Sequence, residues 1–449
     1  MARPDTVVIG AGVSGLAAAR LLSQHGRDVV VLEARDRVGG RVVTDRSDGR
    51  VTDLGASWIH GVDGCPVAAA ADAFGMATVE FTVGAYQPDS RPIALHGPDG
   101  RRLTQDESRA HAADIHALDA ALVGVIAASP PDASYRDVTE QALAQQGWDT
   151  HRAARVREYL EHRAEEQYGV CIDDLAAHGL DDDSVAGDEV VFPDGYDALP
   201  SHLADGLDIR LSHVVTHIRW GADGVVVTTD RGRFEGRTAI LTVPVGVLRS
   251  SDLMIDPPLP STNARALDRL RMNAFEKVVL RFPHRFWPDD FYAIRRQGPD
   301  GRRWHSWYDL TRLHGEPTLL TFAAGPTALE TRSWDDAGLV ESILAQLRHL
   351  HGDVVPAPVA VHRTDWLGDP YARGSYAYMA VGATTADHDD LATPIGDVLH
   401  VAGEATWTDD PATVPAALLS GHRAACRVLG HPVAVEALWA GGASTMMGR

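Results

Sequence analysis

The chain has 449 residues, 45% of them hydrophobic, and a formal net charge of −21 at pH 7. That length exceeds one ordinary core and predicts two domains. The acidic balance argues against nucleic acid, which is held by basic patches, and mildly favours encounter with cationic ligands.

The densest signal lies in the first forty residues. Val7-Val8-Ile9 is a short β-branched run of the kind buried in parallel sheets. It stops at Gly10-Ala11-Gly12-Val13-Ser14-Gly15, and Leu16 to Leu22 then reads as a strong helix former. In such a turn the first glycine permits the tight bend, the second lets backbone approach a pyrophosphate, and the third lets helix and strand pack closely. The helix amino terminus offers free N–H groups and a partial positive charge to the same anion. A second strand, Asp28 to Leu32, ends at Glu33, eighteen residues past Gly15 and close to the spacing of an acid that binds an adenosine ribose. Strand, turn, helix, strand and acid occur as one unit, the context that makes the glycine pattern informative. The continuation, Ala34-Arg35-Asp36-Arg37-Val38-Gly39-Gly40-Arg41, resembles the FAD-binding fingerprint of the flavin amine oxidase superfamily, where the second glycine and the arginine hold the rest of the dinucleotide. It implies FAD rather than NAD.

Further along, Val51 to Gly61 is glycine-rich and aromatic, and Pro66 to Phe74 predicts an apolar helix. Glu107 to Gln146 has leucine and isoleucine at helical spacing, broken at Pro130-Pro131, and a charged helix follows from His151 to Gln167; Asp181-Asp182-Asp183 reads as a solvated loop. Near Val190 the texture changes. A short helix starts at Asp194-Gly195-Tyr196. Strands are predicted at Ile209–Leu211, Val214–Ile218, Val225–Thr229 and Thr238–Val243, with hairpin turns at Asp223-Gly224 and Asp230-Arg231-Gly232. Phe275–Phe282, Trp304–Tyr308 and Leu319–Phe322 suggest an antiparallel sheet. A helix over Asp336–Leu350, a strand over Val398–Val401 and a final helix over Val414–Leu429 complete the pattern. The expected fold is α/β: a Rossmann-like FAD-binding domain of the glutathione-reductase type at 1–75, 190–262 and 368–430. A substrate domain occupies 76–189 (largely helical) and 263–367 (mixed or antiparallel sheet), with a tail at 431–449.

Cys65, Cys171 and Cys426 are widely separated, without any C-x-x-C, which fits a reducing compartment. No run of eighteen apolar residues occurs, and the chain starts almost in its first strand, so a cytoplasmic protein without a membrane span is expected.

One lysine, Lys277, stands in a Lys+Arg total of 41. It sits inside the apolar strand Phe275-Glu276-Lys277-Val278-Val279-Leu280. Arginine stays protonated, whereas a buried lysine can lose its charge and act as a base or hold a water. Survival by chance on a solvated strand face is the competing explanation. His213 and His217 share a strand face without further ligands, which predicts no metal site, and no G-x-S-x-G occurs.

Several separated stretches together resemble one family, the FAD-dependent monoamine and polyamine oxidases with the related lysine-specific histone demethylases. They are the amino-terminal fingerprint, Asp53 to Gly61, Thr242 to Leu248, Asn273 to Trp287, Asp365-Trp366 with Asp369 to Tyr376, and Ala402 to Thr406 with Pro411 to Gly421. The resemblance implies that Lys277 holds a water at the flavin N5, that Tyr376 forms one wall of the amine cage, and that Trp366 lies near the flavin ring. It places Gly55, Ala56, Ser57, Trp58, Glu404, Thr413 and Val414 at the cofactor, Val215 against adenine, and His60 in the substrate channel. Ser375 stands where the mammalian monoamine oxidases have the cysteine bonded to flavin, which implies noncovalent FAD. Thr413 replaces the second cage tyrosine. The family's Thr-Val-His-Gly-Ala becomes Thr413-Val414-Pro415-Ala416-Ala417, and the long insertion of the chromatin demethylases is absent. The implied activity is oxidation of an amine by hydride transfer to FAD, with O₂ reduced to H₂O₂ and polyamines as the leading substrate class. A primary monoamine, an amino acid or an amine-bearing intermediate, a carbon–carbon desaturase, and a non-catalytic flavoprotein are the alternatives.

Overall fold

The computed structural model describes residues 4–84, 86–88, 92–180 and 185–440. The aspartates 181–183 lie outside the described residues.

A five-stranded parallel sheet carries the amino-terminal unit. Its order is Leu399–Val401, Thr238–Leu241, Thr6–Ile9, Val29–Leu32 and Asp208–Arg210. The chain therefore visits this sheet three times, from its beginning, middle and end. Thr6–Ile9 is buried on both faces, as its unbroken β-branched run requires. Helix Val13–Gln24 packs on one side, and the closing helix Val414–Leu429 lies against it. Close approach of those helices depends on Gly421, where a Cβ would come within 2.0 Å of the Ser14 carbonyl.

A second sheet has six strands in the order Ala360–Arg363, Phe275–Arg281, Thr318–Ala324, Ser306–Asp309, Ala293–Arg296 and Ile93–His96. All its pairings are antiparallel except the last, which makes it mixed. The expected strand at Trp304 begins instead at Ser306, and Trp304 is a fully buried core residue just before it. The hairpin region forms a four-stranded sheet from Gly232–Gly236, Gly224–Thr229, Val215–Gly221 and Met254–Asp256. Ile209, by contrast, sits on the outer edge of the parallel sheet, paired in register with Val31. His213 precedes strand Val215–Gly221, and only His217 lies in it.

In the chain, three helices follow Ile93–His96: Gln105–Ala128, Tyr135–Gln146 and Thr150–Tyr168. Thr104 with Glu107 and Ser134 with Asp137 form capping boxes, and Asp149 caps the third helix, so each start is fixed by a side chain in the sequence. By length and composition Gln105–Ala128 is long and apolar enough to cross a bilayer, with a window of mean hydropathy 1.3. Its Asp114 and Asp119 are tied to Arg152, Arg155 and Arg163 of the third helix, which anchors it within the protein.

Candidate active site

A cavity of about 870 Å³ runs from the glycine turn, past the carboxyl ends of the parallel strands, to the face of the six-stranded sheet. Every residue singled out above as catalytic or cofactor-binding lines it except Gly15, which lies beneath. The three glycines behave as their spacing requires. Gly10 has φ +105°, a conformation that L side chains rarely adopt. At Gly15 a Cβ would stand 2.0 Å from the Gly10 carbonyl oxygen, whereas at Gly12 it would meet nothing within 4 Å. Gly12 thus leaves backbone open to the cavity at the start of helix Val13–Gln24, whose cap makes no side-chain hydrogen bond.

The carboxylate of Glu33 accepts the N–H of Ala11 at 2.7 Å and that of Arg35 at 2.9 Å, while burial pushes its carboxyl above the usual range. Arg35 turns away to a two-pronged pair with Asp369, at 2.8 and 2.6 Å, and lies over the Tyr371 ring. The pair fixes the Arg35 guanidinium at the cavity edge with two of its five N–H groups engaged. Arg41 donates to Glu404 at 2.7 Å and to the Ser375 carbonyl at 3.0 Å. The other Glu404 oxygen, Oε2, and the Trp58 Nε1 are buried without a protein partner. Buried polar atoms are seldom left so. One acceptor and one donor waiting on a cavity wall, beyond an open glycine turn, fit a ligand rich in hydroxyl and carbonyl groups such as FAD.

Lys277 comes from strand Phe275–Arg281 and reaches across to the glycine-rich segment of residues 53–57. Its Nζ donates to the carbonyls of Asp53 and Gly55 and to the Ser57 hydroxyl. Burial pulls the ammonium down to about 8, opposed by Asp53, whose own carboxyl burial pushes up to about 6. This lysine is buried, not on a solvated face.

Tyr376 is held by its N–H on Asn273 Oδ1 and by its hydroxyl on the Gln167 carbonyl, both at 3.1 Å, with its ring tilted against Phe275. The indole of Trp366 donates to the Leu54 carbonyl at 3.1 Å. Its backbone and that of Leu367 donate to Glu276, which also takes the Thr364 hydroxyl at 2.5 Å. Glu276 is thus a structural clamp on Trp366 that the sequence did not single out. Glu276→Ala would strand those donors and is expected to cost about 2–4 kcal/mol, read by chemical denaturation; an unchanged midpoint would remove the clamp.

Ser375 donates to the Phe275 carbonyl at 2.6 Å and accepts that residue's N–H at 3.3 Å. Thr413 caps the closing helix through Ala416 N–H and also donates to Asp410. Pro415 then falls in the first turn, where a missing N–H costs no helical bond, so the unusual proline is accommodated without a kink. Val414 opens that helix at the cavity, and Val215, the first residue of its strand, lines the same cavity. His60 sits beside Trp58, rings stacked at 6.4 Å, and contacts Glu189.

A family profile for flavin containing amine oxidoreductase matches residues 13–429. A lysine-specific histone demethylase 1 homolog 1 from Oryza sativa subsp. japonica is 34% identical over 453 residues, covering 95% of this chain and 52% of that protein. The chain therefore spans about half the length of this demethylase homologue. Polyamine oxidase 4 from the same rice is 32% identical over 441 residues, covering 94% of this chain and 88% of its own. The solved structure of putrescine oxidase, wild type bound to putrescine, superposes with a TM-score of 0.78 at 24% identity, covering 96% of this chain and 100% of the other. That likeness establishes the shared two-part fold, with its Rossmann-like unit and mixed sheet. Together with the profile and the relatives, it leaves one assignment: the chain belongs to the flavin containing amine oxidoreductase family.

Proposed function

We propose that this chain is an FAD-dependent amine oxidase that takes a polyamine or a related amine and holds its cofactor noncovalently. The observation that carries the reading is the buried Lys277 on the cavity wall, beside Trp58, Tyr376 and Trp366, in the same cavity that begins at the open Gly12 turn. The turn, Glu33, Arg41, Glu404 and the Gly55–Trp58 segment would hold FAD. When bound, FAD accepts hydride from the amine α-carbon and passes the electrons to O₂, giving H₂O₂ and an imine that hydrolyses to aldehyde or ketone.

The chain's own residues bind and orient. Tyr376 is pinned through its backbone N–H and hydroxyl and Trp366 through its backbone and indole N–H, so their rings are fixed walls and the amine is aligned before reaction. The reactive amine is neutral, so its ammonium proton leaves first and no strong protein base is needed. Lys277, its three N–H groups engaged by Asp53, Gly55 and Ser57, keeps a buried positive charge at the reacting end of an otherwise apolar wall. Thr413, small and already committed to the helix cap, leaves the second side of the cage open for a longer chain. The net charge of −21 favours encounter with a polycation. Both Ser375 hydroxyl contacts are to its own neighbouring strand, which supports noncovalent flavin.

A peroxide-coupled screen of diamines, polyamines, benzylamine and amino acids, with anaerobic bleaching of the flavin absorbance, tests the reading. Di- or polyamines are expected to bleach the flavin at the lowest concentrations. Bleaching by amino acids alone would replace the substrate class, and no bleaching by any amine would refute the activity. Acid precipitation is expected to release all the flavin; fluorescence left on the denatured protein would overturn noncovalent binding.

A further inference from the structure

Behind the wall formed by His60 lies Glu189, wholly buried at the start of strand Val190–Val191. That strand pairs with Trp58–Ile59 on one side and Val79–Glu80 on the other, which brings Glu189 between the cavity wall and the segment after residue 80. Its Oε2 accepts the N–H groups of Val83 at 2.7 Å and Gly84 at 2.5 Å, and its Oε1 meets Nδ1 of His60. A buried carboxylate that collects three N–H donors is stabilised as the anion. Burial acts against that charge, but the His60 contact and the two amides outweigh it, so the carboxyl stays below its ordinary range.

The consequence is for the imidazole. An ionised carboxylate can only accept, so Nδ1 of His60 must carry the hydrogen, and in the neutral ring Nε2 is then a bare acceptor. The ring is half exposed and lines the cavity. It stacks on Trp58 at an interplanar angle of 10°, and the same indole has the Lys277 ammonium 5.8 Å from its centre. Lys277, Trp58 and His60 thus follow one another along the wall, with the acceptor one ring farther out than the lysine.

We propose that Glu189 is a positioning residue that locks His60 with Nε2 as an acceptor toward the cavity, and that this acceptor takes a hydrogen bond from a second, cationic nitrogen of an extended amine. The inference rests on the amine-oxidase reading and adds to it where the far end of the substrate is recognised. The buried negative charge behind the ring strengthens the attraction for an ammonium group, and no proton need change hands.

Glu189→Gln is nearly isosteric and discriminates. The amide oxygen can keep the Val83 and Gly84 donors, but its NH₂ must then face Nδ1. His60 is forced into the other tautomer, presenting Nε2–H, a donor, to the ammonium. The preference for putrescine over butylamine, read as the ratio of kcat/KM values, is expected to fall about 10- to 100-fold, the size of a hydrogen bond to a charged group. The loss is expected mainly in KM. His60→Ala is expected to show a similar fall, and the double variant to add nothing to it. An unchanged preference in Glu189→Gln, or losses that add, would overturn the proposal, since Glu189 would then act only on the Val83–Gly84 backbone. Nitrogen-15 NMR of histidine-labelled enzyme reads the tautomer without substrate: Nδ1–H in the parent, Nε2–H in Glu189→Gln. The same tautomer in both proteins overturns the positioning role. A parent enzyme that oxidises no amine would instead refute the activity and the far-end contact with it, while the spectrum still decides the tautomer.

Discussion

Replacing Lys277 with methionine is expected to slow turnover by about 10²–10³-fold, the size found when one buried electrostatic partner of the reacting atoms is removed. Methionine keeps the length and apolar stem of the side chain, so the wall beside Trp58 survives while the charge at its end is lost. Turnover within a few-fold of the parent would take Lys277 out of the mechanism. Its charge supplies a second, sharper signature. With the group lowered to about 8 by burial, the ammonium predominates below that pH and the free amine above it. A positive charge at the reacting end favours charge developing on O₂. The rate at which substrate-free reduced enzyme reacts with O₂ is therefore expected to fall as pH rises through about 8. Because no amine is present, substrate ionisation cannot produce that limb. Lys277→Arg, which stays protonated, should lose it. The same depression has a sign for stability. Between about 8 and the unfolded value of ~10.4 the unfolded chain binds more protons, so this group's contribution to stability rises with pH.

Lysine could be read from the chain because one lysine among so many arginines is an anomaly of composition. The acids around it could not. Asp53, Glu276 and Glu189 belong to a pool of 62 Asp and Glu residues, and nothing in their spacing distinguishes them. Their significance arises from partners far along the chain: Asp53 acts through its charge on Lys277, 224 residues away, while the Glu276–Trp366 bond spans 90 residues and His60–Glu189 spans 129. Arg35 shows the same limit from the other side. Its place in the fingerprint implies a cofactor contact, but the Asp369 pair that fixes its guanidinium at the cavity edge comes 334 residues later.

Elements divide along similar lines. The closing helix was legible to the residue, Val414–Leu429, because Thr413 caps it, Pro415 suits its first turn, and Gly430 ends it in the left-handed conformation. Ile93–His96 and Ala360–Arg363 were not foreseen. They are short edge strands of the six-stranded sheet, and their only signal is a partner in another part of the sequence. Gly232–Gly236 was hidden for a different reason: with one aromatic residue between charged neighbours and a glycine at each end, it has little of the alternation that marks a half-buried strand.

The turn at Gly10–Gly15 permits a test that separates fold from cofactor binding. Gly15→Ala would place a methyl group 2.0 Å from the Gly10 carbonyl oxygen and 3.0 Å from the Thr242 hydroxyl. The first obstacle is backbone and cannot swing aside, so the strand and helix must separate, at an expected cost of about 1–3 kcal/mol or more. The damage should appear in the apoprotein itself, as a lowered melting temperature, and FAD binding should fall because the turn is distorted. Gly12→Ala is expected to do the opposite. Its backbone, φ −74° and ψ 175°, suits alanine, and the new methyl group meets no protein atom within 4 Å. Apoprotein stability should change only by the small loss of a preferred cap residue. FAD affinity should nevertheless fall steeply, because the methyl group enters the space through which backbone N–H groups approach the pyrophosphate. The holoprotein would then lose the stabilisation that bound ligand confers in proportion to the logarithm of its affinity. Fluorescence titration with FAD and thermal melts of both apoproteins check the contrast. Undiminished FAD affinity in Gly12→Ala would move the phosphate away from this turn; an undisturbed Gly15→Ala apoprotein would deny the close packing that holds the turn in place.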